Sequence, residues 1–116
     1  MLKSLYKIAT GLFIALGVAH VAYTPWVYAG FSLDAMWFVG SGMAIIFAGL
    51  LNVVLLRGAG KDRVTRWLVF GTNLVLVFGF AVALLVLREP QVFIGLFLAG
   101  FEAVASLLLS RSSTFQ

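Results

Sequence analysis

A carboxylic acid and an imidazole lie within long apolar runs of this sequence: Glu102, in Ala99–Gly100–Phe101–Glu102–Ala103, and His20, in Gly17–Val18–Ala19–His20. An ionisable group in such a run is costly in lipid, so it faces protein, a cavity or water and marks a candidate site for a proton, an ion or a substrate. Glu102 stands twelve residues beyond Pro90. At ~1.5 Å per helical residue that is about 18 Å along a helix, near the middle of a bilayer. Thr10, Asn52, Thr72 and Asn73 fall at a similar level on the preceding apolar runs, so the five residues predict one buried polar layer. Burial disfavours a bare carboxylate, and the asparagine amides are donors that offset that cost. The layer suits either of two tasks, fixing helix register or holding a small ligand.

His20 belongs to a different level. Tyr23, Asp34 and Trp37 accompany it near the other end of the runs, and together these four are candidates to frame a small polar pocket. Asp34 also reads as a helix N-cap, accepting from free backbone N–H groups at the start of the second run. Glu89–Pro90 reads as an acidic residue and a proline opening the fourth. A lone histidine without cysteine, a second histidine or a carboxylate at ligand spacing does not make a metal or haem site, so none is expected, nor any other cofactor. The chain has no phosphate-binding Gly-rich loop followed by Lys-Ser/Thr, no HExxH and no nucleophile elbow, which removes the common soluble-enzyme chemistries.

The elements that must position these residues follow from composition. Hydrophobic residues make up 63% of the 116 positions and charged ones 10%. A chain this short has too high a surface-to-volume ratio to hide so much apolar surface from water, so lipid must solvate much of it. A helix crossing the ~30 Å hydrocarbon layer needs about 20 apolar residues. Four such spans are expected near Leu5–Thr24, Ala35–Leu56, Trp67–Leu87 and Gln91–Leu109, forming one all-α, integral membrane four-helix bundle. Between them lie Pro25–Asp34, the polar Arg57–Arg66 segment with Gly58 and Gly60, and a tight turn at Arg88–Glu89–Pro90. The runs are continuously apolar rather than alternating, which argues against a β-barrel. Lys3 and Lys7 ahead of an apolar run also resemble a secretory signal, but the first run is read here as a retained span.

The net charge of +4 does not point to nucleic acid. Seven of the eight basic residues flank apolar runs at the N-terminus (Lys3, Lys7), in the central segment (Arg57, Lys61, Arg63, Arg66) or at the tail (Arg111), leaving Arg88 on the other side. That bias places both termini in the cytoplasm of a bacterial-type plasma membrane. Trp26, Tyr28 and Trp37 then belong to the outer aromatic belt, Tyr6 and Trp67 to the inner one. Small residues mark helix contacts in lipid, and the expected stripes are Gly11/Ala15/Ala19, Ala44/Ala48 and Gly95/Ala99/Ala103/Ser106/Ser110.

In size and span number the chain is similar in outline to the small multidrug-resistance transporters. Their characteristic glutamate is in the first helix, whereas Glu102 is in the fourth, and no motif identifies a family. Three functions fit these residues. The first is a small-molecule binding or transport protein built around Glu102, with its pathway between protomers of a homodimer. The second is a non-catalytic accessory or assembly subunit of a larger membrane complex. The third, an enzyme acting on a small lipophilic ligand through His20 with Asp34 or Glu102, is the weaker because Glu102 stands at a different depth from His20 and Asp34. The partners expected are the lipid bilayer and a second copy or a larger membrane complex.

Overall fold

The computed structural model describes residues 1–58 and 62–110, the last two by backbone alone. Gly60, Lys61 and Arg111 and the side chain of Ser110, each given a part in the expectations above, lie outside the described residues. Among the described residues the chain is helical without strands: α1 (Leu2–Ala22), α2 (Thr24–Val27), α3 (Leu33–Leu56), α4 (Arg63–Ala83) and α5 (Pro90–Ser110). All but α2 are long and apolar enough to cross a membrane. At 21 to 24 residues they reach about 32–36 Å, and the whole extends 50 × 23 × 23 Å.

The helix ends have local causes. Tyr23 closes α1, and Thr24–Pro25 starts the single turn of α2, where the proline's missing N–H is harmless. The cap of α3 is Ser32 rather than Asp34: its Oγ accepts from the Ala35 N–H at 3.1 Å. Asp34 lies one position inside the first turn, exposed, where its charge suits the helix dipole without capping. Gly58, at φ 105°, ends α3, since a left-handed residue stops the helix and costs glycine little.

The α4 helix begins four residues before the expected Trp67, because Asp62 caps it. The Asp62 carboxylate accepts from the Val64 and Thr65 amides, both at 3.3 Å, and from the Thr65 hydroxyl at 2.6 Å. That hydroxyl is the main reason the Asp62 carboxyl is held below its usual value, the two amides and nearby Arg66 adding to it. α4 also stops at Ala83, short of the expected Leu87. Turns cover Leu84–Val86, and the chain leaves helix ahead of Pro90, whose ring disfavours helical geometry in Glu89.

α1 packs along α3 and α5, and α5 packs along α4. Two apolar clusters lie inside. Tyr6, Leu55, Val69 and Ala105 form one, toward the end where α1 begins and α5 finishes. Ala9, Phe13, Ile45, Ala48, Leu98 and Ala99 form the other. Outside, the surface is apolar: Ile8, Leu12, Phe47, Leu68, Val75, Phe78, Phe97 and Val104 are all exposed. Polar residues inside and apolar ones outside reverse the pattern of a water-soluble domain.

The small-residue stripes divide. On α5, Gly95, Ala99, Ala103 and Ser106 are buried as expected, and Ala48 is buried on α3. Gly11, Ala15, Ala19 and Ala44 instead face outward. The close α1–α3 approach uses Gly17 and Gly42: a Cβ on Gly17 would stand 2.9 Å from the Gly42 carbonyl and 2.7 Å from Ile46 Cγ1. A Cβ on Gly11 would meet nothing within 4 Å.

Candidate functional site

The polar layer lies between the two apolar clusters. Thr10 is one turn beyond Tyr6 on α1, Asn52 falls between Ala48 and Leu55 on α3, Asn73 is one turn beyond Val69 on α4, and Glu102 falls between Ala99 and Ala105 on α5. Each is therefore on its helix's inward face, with relative exposure of 2% for Thr10 and 0% for Asn52, Asn73 and Glu102.

Asn52 and Asn73 form a reciprocal amide pair. Asn52 Nδ2 donates to Asn73 Oδ1 at 2.8 Å, and Asn73 Nδ2 donates to Asn52 Oδ1 at 2.9 Å. Asn52 Nδ2 also reaches back to the Ala48 carbonyl at 2.8 Å. Asn73 Nδ2 reaches α5 as well, at the Glu102 backbone carbonyl (3.2 Å) and Ser106 Oγ (3.3 Å). The Tyr6 hydroxyl donates to Asn52 Oδ1. Thr10 Oγ1 lies 3.1 Å from Glu102 Oε2, tying α1 to α5. All four long helices are thus joined at one level. Polar contacts of this kind average about 0.6 kcal/mol each in a membrane protein, so several together matter.

Glu102 is the exception within the network. Its Oε2 has the Thr10 hydroxyl, while Oε1 is buried without a hydrogen-bond partner.

Four of the five expected layer residues are brought together. Thr72 is half-buried on α4 and stands apart from the hydrogen-bonded cluster. Two members were not among the site candidates. Tyr6, expected in an interfacial belt, is fully buried, and Ser106, expected only as a packing residue, accepts from Asn73. The signal for both was helical spacing, since Tyr6 is four residues before Thr10 and Ser106 four after Glu102.

The second group of candidates does not converge. His20 stacks on Phe38, with ring centroids 3.8 Å apart and planes at 19°, and Tyr28 meets the same phenylalanine edge-on at 5.5 Å. The His20 Nε2 is buried without a partner. Tyr23 is exposed and leans on Trp26 at 5.9 Å. Trp37 is 67% exposed, and Asp34 is exposed too. Among the described residues no hydrogen bond or ring contact joins His20, Tyr23, Asp34 and Trp37 to one another, and no group of three or more His, Cys, Asp or Glu is placed to hold a metal ion.

On the outer surface an apolar groove runs between α1 and α5, lined by Leu12, Ala15, Leu16, Phe93, Ile94, Phe97 and Leu98. Comparison of the chain with protein-family models, with curated proteins and with solved structures gave no match.

Proposed function

We propose that this chain is a multi-pass protein of a bacterial-type plasma membrane, a four-helix bundle with both termini in the cytoplasm, acting as a non-catalytic accessory or assembly subunit. Topology rests on the seven basic residues at the terminal and central segments against Arg88 alone on the other side. The observation that carries the functional reading is the exposed row of Gly11, Ala15 and Ala19, where a Cβ on Gly11 would meet nothing within 4 Å and Ala15 lines the α1–α5 groove. In lipid, small residues let a second helix approach closely, so this face suits another apolar helix. The interior supports the same reading, since its amides and hydroxyls are bonded to one another across the helices. Asp34 is exposed and, among the described residues, makes no hydrogen bond to His20, which weighs against the enzyme.

Mild extraction from native membranes, followed by mass analysis of the intact complex, tests this. The expected result is an unrelated chain in fixed stoichiometry with the wild type, lost from Ala15→Leu. A monomer, or a homodimer indifferent to Ala15→Leu, overturns it.

One observation favours the binding or transport reading, namely the unpartnered Oε1 of the fully buried Glu102. Uptake or efflux that is abolished by Glu102→Gln in a folded protein supports that reading, and transport unchanged by the substitution removes Glu102 from it.

A further inference from the structure

Glu102 is the buried acid of the interior, and its surroundings on every packed helix decide what state it can hold. From α1 it meets the Thr10 hydroxyl, with the titratable Tyr6 one turn away. Asn52 on α3 and Asn73 on α4 are neutral amides already paired with each other, and Asn73 touches α5 at the Glu102 backbone carbonyl rather than the carboxylate. The basic side chains of these helices do not supply a counter-charge. Lys3, Lys7 and Arg63 are exposed, and Arg66 lies beside Asp62 at the start of α4. Among the described residues Glu102 makes no ion pair. It has one neutral hydroxyl on Oε2 and nothing on Oε1.

A carboxylate in that setting would leave a full charge with a single donor, in a medium where an isolated buried charge is far costlier than a neutral acid. A carboxylic acid has no such defect. The 3.1 Å separation serves equally for a carboxyl O–H donating to Thr10 Oγ1, because a hydroxyl both donates and accepts. We propose that Glu102 is a proton-binding site: the side chain is held as the neutral acid with its proton on Oε2 directed at Thr10, making the α1–α5 contact a proton-sensitive joint. When a base in bulk water takes that proton, the carboxylate left behind must recruit water or a cation, and α1 and α5 part at this level to admit it. This goes beyond the accessory-subunit reading and does not depend on which partner the outer face receives.

The chain has two glutamates, so Glu89→Gln with ¹³C-glutamate labelling leaves Glu102 as the sole labelled carboxyl. Infrared spectra of the full chain in ether-linked phosphatidylcholine vesicles, free of ester carbonyls, then read its state directly. At pH 7 the isotope-shifted bands are expected to be those of a carboxylic acid, and carboxylate bands there overturn the proposal. Thr10→Val should displace the acid carbonyl band, and an unmoved band overturns the Thr10 contact. The chain has no cysteine, so spin labels at Leu5→Cys and Leu108→Cys, both exposed sites, report the α1–α5 separation alone. Alkaline conversion to the carboxylate should lengthen that distance by about 1–2 Å or more, the scale of a helix shift, but not in a Glu102→Gln background. A distance that ignores the conversion, or that changes equally in Glu102→Gln, overturns the joint.

Discussion

The two ends of the helix interior are held by different physics. Toward the termini, α1, α3, α4 and α5 are tied by side-chain hydrogen bonds among Tyr6, Thr10, Asn52, Asn73, Glu102 and Ser106. Toward the far end, α1 and α3 meet through backbone proximity at Gly17 and Gly42 and through the stack of His20 on Phe38. Hydrogen bonds are directional and specify register, whereas glycine contacts specify only closeness. The contrast assigns uniqueness of arrangement to one end and tightness of contact to the other.

The largest effect should come from the polar end. Asn73 and Val69 are the buried residues of α4, so this helix depends on few anchors. Asn73→Leu removes four hydrogen bonds, two with Asn52 and one each with the Glu102 carbonyl and Ser106. At about 0.6 kcal/mol apiece, with about 1 kcal/mol for leaving Asn52 incompletely satisfied, the loss should be about 3 kcal/mol in detergent-mixture unfolding followed by circular dichroism. A loss no larger than that of an exposed leucine exchange would break the comparison.

The glycine end comes next. Gly17→Ala places a methyl against the Gly42 carbonyl and the Ile46 amide, backbone atoms that cannot rotate away, and should cost about 2 kcal/mol by overpacking. Gly11→Ala on the same helix meets open space and is the control, expected to be neutral or stabilising by about 0.5 kcal/mol. Equal effects from the two would mean that α1 does not press on α3 at Gly17.

A smaller loss, about 0.6 kcal/mol in the same assay, is expected for Tyr6→Phe, which deletes one donor to Asn52 and keeps the buried ring. A loss near that of Asn73→Leu would show the tyrosine, not the amide pair, to be the principal tie.

The smallest effect lies outside both regions. The Asp62 carboxyl is held below its usual 3.8 by the Thr65 hydroxyl and the amides it caps. A group depressed on folding stabilises above its unfolded value, and that contribution is lost as pH falls through the folded value. Thermal unfolding should therefore show a slight loss on acidification below about pH 3.8 that Asp62→Asn lacks. A loss of the same size in the variant would place the acid-sensitive group elsewhere.

The polar layer was legible from the sequence because depth along a helix is additive: a constant rise per residue carries Thr10, Asn52, Asn73 and Glu102 to one level whatever their separation in the chain. Facing direction was less so. Glu102 reads as inward from the cost of an ionisable group in lipid, but the small-residue rule misplaces Gly11, Ala15 and Ala19, because a small residue permits close approach from either side and does not say whether a helix of the same chain will use it. Apolar composition on all faces hides which side is the core, and Tyr6 was lost to the belt for that reason. Caps were readable in kind but not in position, since Ser32 and Asp34 are both good acceptors and only the entry path of the chain chooses between them. The expected convergence of His20, Tyr23, Asp34 and Trp37 rested on shared depth alone, and here depth was insufficient because Tyr23, Asp34 and Trp37 turn outward.

The early end of α4 has a consequence for the bilayer proposed above. Past Ala83 the chain continues in turns whose amides, through Leu87, still reach the carbonyls of Phe80, Val82 and Ala83, and hydrocarbon offers nothing to peptide groups beyond such partners. In the proposed bilayer Arg88 and Glu89 would therefore ride at the headgroups, with the exposed Leu85 and Val86 toward the acyl chains. A bilayer thicker than the helices would have to thin around this corner to keep Arg88 and Glu89 at its surface.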